Sequence, residues 1–173
     1  GADKETVTTD ELVEFSRDPL VIGIGETGLD YFYEHSPRKR QQDNFRAHIA
    51  AARETGLPLI VHSRDADDDM IQILSDEYQK GTYPGVIHCF SSGPELAEKA
   101  IEFYGNEGDL LIVISSSGQS ENMLNAVEAA RNCNFQSVIT LSGFSEDNPL
   151  KKIGDINLWA NNKSYNFVEN IHQ

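Results

Sequence analysis

The sequence predicts an α/β fold: an open, mainly parallel sheet of about five to six strands with helices on both faces, a flavodoxin-like three-layer sandwich. Three observations predict it. Short β-branched runs alternate with longer segments of helical period, the pattern of βα units on a parallel sheet. The runs are almost continuously apolar, as expected of strands covered on both faces. The chain has 173 residues and six βα units, short of the eight units and ~200–250 residues of a closed barrel.

The elements follow in order. Thr9–Arg17 reads as an opening helix, with Thr8, Thr9 or Asp10 available as its N-cap. Strand candidates are Leu20–Ile24, Leu59–Val61, Val86–Phe90, Leu110–Ser115, Val138–Leu141 and Ile156–Trp159. Helical stretches lie near 38–55, 66–80, 94–104, 121–132, 148–153 and 165–172. Pro37, Pro94 and Pro149 stand where helices open, because a missing N–H costs nothing in a first turn.

Composition narrows the function classes. Fourteen Lys+Arg against 28 Asp+Glu give a net charge of −14, spread as −10 over residues 1–104 and −4 over 105–173. That excess argues against a nucleic-acid partner, since a phosphate backbone calls for basic neutralisation. No apolar run approaches the ~20 residues that span a bilayer, so no membrane partner is expected. No basic-then-apolar leader opens the sequence, and two cysteines, Cys89 and Cys133, suit a reducing compartment of cytoplasmic type.

Three successive strand candidates end in a metal-competent side chain: Gly-Ile-Gly-Glu26, Leu-Ile-Val-His62 and Val-Ile-His88. The carboxyl ends of parallel strands open onto one crevice, where ligands bind. One Glu and two His suit a divalent ion such as zinc, manganese or magnesium, whose chemistry would be hydrolysis through an activated water. The bland alternative is that each residue merely caps its strand.

The blocks Ile-Gly-Glu26-Thr-Gly-Leu-Asp30-Tyr31, Leu-Pro58-Leu-Ile-Val-His62-Ser-Arg64-Asp65-Ala and Val-Ile-His88-Cys-Phe90-Ser resemble, in that order, a TatD-type metal-dependent deoxyribonuclease, a TIM-barrel hydrolase. The resemblance covers roughly residues 1–104 and implies that Glu26, His62 and His88 descend from metal ligands. No His-x-His strand precedes Val21, and no strand-end Asp stands where the family's last ligand comes. Three ligands and one ion are therefore expected rather than two.

Two other patterns are set aside. Gly23, Gly25 and Gly28 spell G-x-G-x-x-G, but Leu29-Asp-Tyr-Phe-Tyr follows where a dinucleotide site needs a helix. Asp65, Asp67, Asp68 and Asp69 open a predicted helix, where acids complement the macrodipole.

The second constellation is Ser115-Ser-Ser-Gly118-Gln-Ser120-Glu121-Asn, between a buried strand and a helix. Such a loop presents N–H groups and hydroxyls to an anion; equally, it is an ordinary βα turn with a Ser cap. With Ala126–Arg131, Val138–Gly143 and Asp155-Ile-Asn-Leu, it resembles the second half of a sugar isomerase (SIS) domain. The resemblance covers residues 105–173 and implies that Ser115, Ser117 and Ser120 hold a phosphate or phosphosugar. It also implies that Glu169 and His172, three residues apart on a closing helix, form an acid–base pair.

The combined expectation is a chimeric, recombined or engineered α/β domain joined near 103–108 and without efficient catalysis. A weak metal-dependent phosphoesterase or deoxyribonuclease and a phosphosugar-binding module are the alternatives. Open sheet edges make a homodimer a further expectation.

Overall fold

The computed structural model describes residues 6–88, 90 and 92–164. The chain divides into two compact units, Gly1–Ser92 and Gly93–Gln173.

The first unit opens with α1, Thr9–Phe15, closed at its N-terminus by a capping box. The Glu11 N–H donates to Thr8 Oγ1 at 3.3 Å, and the Thr8 N–H donates to Glu11 Oε2 at 3.1 Å. Strand β1 runs Ile24–Asp30, later than the expected Leu20–Ile24. The correction has a physical reason. β1 is an edge strand whose ladder with the next strand is made chiefly by Thr27–Asp30, so Leu20 and Ile22 stay 85% and 83% exposed.

Helix α2, Arg38–Thr55, buries Phe45, Ile49 and Ala52 on one face at helical spacing and stops at Gly56 in the left-handed conformation. Strand β2 spans Leu59–Arg64, and its alternation puts Leu59, Val61 and Ser63 inside. Helix α3, Asp67–Tyr78, carries Asp67, Asp68 and Asp69 in its first turn and buries Met70, Ile73, Leu74 and Glu77. Strand β3 is short, Gly85–Ile87. No helix opens at Gly28, which lies inside β1.

Glu77 is the unit's one fully enclosed carboxylate among the described residues, 3% exposed. It accepts from Lys80 Nζ at 2.7 Å, Arg46 Nη1 at 3.0 Å and Arg53 Nη2 at 3.2 Å. Burial pushes its carboxyl up, but hydrogen bonds from the three cations outweigh that and hold it below the usual carboxylate range.

The second unit contains α4 (Pro94–Tyr104), β4 (Leu110–Ser115), α5 (Glu121–Asn132), β5 (Ser137–Ser142) and β6 (Ile156–Trp159). Pro94 holds the first turn of α4, as its missing N–H allows. α4 packs on α5. The core is Val113, Val127, Ala130, Val138 and Leu150, with Ile101 and Phe135 against it. The other face of this sheet leaves Leu110, Ile112, Ile114, Ile156 and Leu158 exposed. The expected helix at 148–153 is a single 3-10 turn, Leu150–Lys152. Asn148 Oδ1 takes the Lys151 N–H there, and Gly154 follows at once. The expected helix at 165–172, with Glu169 and His172, lies outside the described residues.

The α/β class holds, and every strand pair is parallel. The six strands form two three-stranded sheets, β1-β2-β3 and β4-β5-β6, in place of one continuous sheet. Both sheets keep sequential order. Among the described residues, no helix is long and apolar enough to cross a membrane.

Candidate metal centre

Glu26, His62 and His88 converge on one rim of the first sheet. Each offers a ligand atom, and these atoms lie within 4.8 Å of one another. None is quite the strand terminus the sequence suggested. Glu26 is third in β1 and His62 fourth in β2, because the pairing of β1 with β2 continues to Asp30 and Arg64. His88 lies one residue past β3, its N–H donating to Val61 O at 3.0 Å.

A register shift between Ile24 and Thr27 re-aims Glu26. Gly25, inside the shift, has φ of +147°, and a Cβ there would stand 2.8 Å from the Ile60 carbonyl oxygen; the close approach continues past it. At Gly28, φ is +146° and a Cβ would stand 1.9 Å from the His62 carbonyl oxygen. The same glycines that spell a dinucleotide fingerprint therefore let β1 close on β2 beside His62.

His88 Nε2 is 3.0 Å from Glu26 Oε1, and His62 Nδ1 is 3.5 Å from the same oxygen. His88 Nε2 is buried, and its contact with the Glu26 carboxylate lacks hydrogen-bond geometry. Ligand bonds of about 2.1 Å put neighbouring ligand atoms about 3.0–3.4 Å apart in octahedral or tetrahedral shells. The donor set, one carboxylate and two imidazoles, suits a divalent cation, and the two separations at Glu26 Oε1 are close to those of such a shell.

Asp30, quoted in the sequence blocks but given no role there, faces the other nitrogen of His62, with Oδ2 3.7 Å from Nε2. A carboxylate behind a ligating histidine fixes its tautomer and orientation. Burial pushes the Asp30 carboxyl up; the N–H groups of Tyr33 and Phe32, with the charges of His62 and Arg64, outweigh that and hold it below the usual range. The signal that could have found it is register: Asp30 pairs with Arg64 and Gly28 with His62, two residues apart on one face of the same ladder.

The serine loop is arranged differently. Ser115 and Ser120 hydroxyls share a hydrogen bond at 3.1 Å, and Ser115 Oγ accepts the Gly118 N–H at 3.2 Å. Ser117 Oγ accepts the Gln119 N–H at 3.2 Å. Gly118 packs on Asn148, whose Nδ2 donates to Ser142 Oγ, Gly143 O and Ser145 O. Ser115 and Ser120 are thus bonded to each other, and Ser115 and Ser117 each accept an N–H of the loop's own backbone.

The family model described as TatD related DNase matches residues 2–143. The chain is 40% identical over 89 residues to the metal-dependent hydrolase YabD of Bacillus subtilis strain 168, covering 51% of this chain and 34% of YabD. It thus spans little more than a third of the length of the curated relatives it matches. The crystal structure of YJJV, a TatD homologue of Escherichia coli K12, aligns with TM-score 0.48 and 30% identity over 55% of this chain and 37% of that one. A phosphoheptose isomerase of Francisella tularensis aligns with TM-score 0.45 and 22% identity, over 72% and 74%.

Proposed function

The chain belongs to the family of TatD-related DNases, and from that premise we propose that its first unit is the metal-holding part of a metal-dependent phosphoesterase. Glu26, His62 and His88 hold one divalent ion, zinc or manganese before magnesium because two of the three ligands are imidazoles. When bound, such an ion lowers the pKa of a coordinated water and so supplies a nucleophile at neutral pH. The chain's own residues do the rest. Asp30 places a negative charge 3.7 Å from the other nitrogen of His62, and Gly25 and Gly28 admit β1 close to β2 on the rim where Glu26 lies.

The observation that carries this reading is the convergence of the three ligand atoms, with His88 Nε2 buried and facing the Glu26 carboxylate. Titration of the full chain with zinc or manganese tests it, alongside His62→Ala. One ion per chain in the wild type, lost in the variant together with hydrolysis of bis(p-nitrophenyl) phosphate, is expected. Absence of stoichiometric binding in the wild type removes the reading.

We propose a second reading for residues from about 105 onward, on the pattern of the serine loop that follows β4. Residues from about 105 onward share ancestry with sugar isomerase domains, in a recombined chain whose serine loop, Ser115, Ser117 and Ser120, takes a phosphate or phosphosugar. A thermal shift with millimolar phosphosugar, abolished by Ser117→Ala plus Ser120→Ala, supports it; no shift removes it.

A further inference from the structure

The rim that carries the metal cluster also carries an arginine held in an unusual way. Arg64 follows His62 by two residues on β2, so both side chains leave the same face of the strand about 7 Å apart. In a chain with twice as many acids as bases, arginines find carboxylates easily. Arg17, Arg38, Arg46, Arg53 and Arg131 each do. Among the described residues, Arg64 has no carboxylate oxygen within ion-pair distance; Asp30 acts on it only from farther off. Instead its guanidinium lies over two rings, 4.6 Å from the Phe32 centroid and 4.7 Å from that of Tyr33.

The platform is built rather than incidental. Asp30 Oδ1 accepts the N–H groups of Phe32 at 3.0 Å and Tyr33 at 2.9 Å, folding the chain after β1 into a turn that sets both rings. The rings meet edge to face at 4.8 Å, and Tyr33 stacks on His35 at 5.5 Å. Asp30 thus touches the metal cluster through His62 and the platform through this turn. Cation–π contact fixes a guanidinium plane while leaving its in-plane N–H donors free, and those donors match the paired oxygens of a phosphate.

We propose that Arg64, laid across Phe32 and Tyr33, is the phosphate-binding residue of this site and sets its preference for phosphate esters. The proposal rests on the reading of Glu26, His62 and His88 as a metal-dependent phosphoesterase centre. It also reconciles the acidic chain with a phosphate-bearing substrate. One reserved arginine beside a cation grips a single phosphate group, where a basic face would be needed to track a long backbone.

The test is a titration of inorganic phosphate into the full chain after metal removal, comparing wild type with Arg64→Ala, Arg64→Lys and the double variant Phe32→Leu/Tyr33→Leu. Zinc stoichiometry is measured separately on each. Loss of one charge-assisted hydrogen-bonding group predicts a roughly 10- to 100-fold weaker phosphate affinity in Arg64→Ala. Arg64→Lys and the ring variant fall between, and all three keep the wild-type zinc stoichiometry. With bis(p-nitrophenyl) phosphate, Arg64→Ala raises KM more than it lowers kcat. Phosphate affinity unchanged by Arg64→Ala, or no phosphate binding by the wild type, overturns the proposal. Loss of zinc in Arg64→Ala also overturns it, by making the residue part of the metal centre. A wild type that takes phosphate through Arg64 but no zinc overturns the metal reading alone.

Discussion

The two units present the same kind of rim, the carboxyl ends of three parallel strands in sequential order, and furnish it in opposite ways. In the first, His88 Nε2 is buried without a hydrogen bond and Arg64 rests on rings rather than on a carboxylate. In the second, Ser115 bonds Ser120 and Gly118, Ser117 bonds Gln119, and Asn148 ties the loop to the end of β5. Polar groups that satisfy one another are built for the fold. Polar groups gathered without good mutual hydrogen bonds, as at Glu26, His62 and His88, can take a ligand between them; a lone one such as Trp159 Nε1, buried at the end of β6 without a hydrogen bond, cannot. Parallel topology alone does not make a site.

That comparison can be broken most forcefully at its two glycines. A Cβ at Gly28 would meet the His62 backbone carbonyl, which cannot move without unpairing β1 from β2. One at Gly118 would meet the Asn148 side chain at 2.0 Å. Gly28→Ala is expected to cost about 3–5 kcal/mol, from backbone strain plus overpacking. Gly118→Ala, whose φ of +65° other residues adopt more readily, should cost about half as much. Urea denaturation of the two variants checks the order, and a reversed order would show that Asn148, not the β1–β2 contact, is the less yielding neighbour.

Next in size is the ligand set. His88→Ala should weaken zinc by about 100-fold or more, and Asp30→Asn by about 10-fold, since it removes only the carboxylate behind His62. Competition with a chromogenic chelator measures both. Equal effects would mean that Asp30 is itself a ligand.

Glu77→Gln should cost about 2 kcal/mol, less than a fully enclosed pair because Arg46 and Arg53 keep partial access to water. The sign with pH follows from the depressed carboxyl. Its contribution is present above the ordinary value of 4.5 and is lost as pH falls through the lower folded value. Wild type should therefore lose stability below about pH 4.5 more steeply than Glu77→Gln; parallel curves would exclude Glu77 as the cause.

Smallest is Ser115→Ala, expected to cost about 1 kcal/mol for the bonds to Gly118 and Ser120. A variant that keeps full stability yet loses a phosphosugar thermal shift would place the second rim beside the first as a binding site.

Much of this was legible before any coordinates. Helices α2, α4 and α5 fall at 38–55, 94–104 and 121–132 because apolar spacing, Pro and Gly all agree there. Leu20–Ile24 misled because an apolar run reports burial only when something lies on both sides of it. Glu26, His62 and His88 stood out by ending three apolar runs. Asp30 and Arg64 did not, since their roles come from register and from a turn.

What the sequence by itself determined is the inventory: the αβ alternation, its parallel sense, the three ligand types and the serine loop. Those follow from local periodicity and from chemistry carried by single residues. The tertiary structure decided what separates the inventory from a site. It divided the strands into two sheets, shifted the register of β1 on β2 beside Glu26, gathered Glu26, His62 and His88 on one rim, and laid Arg64 on aromatic rings. Each of these is a relation between residues distant along the chain, fixed by packing and register, which no local pattern encodes.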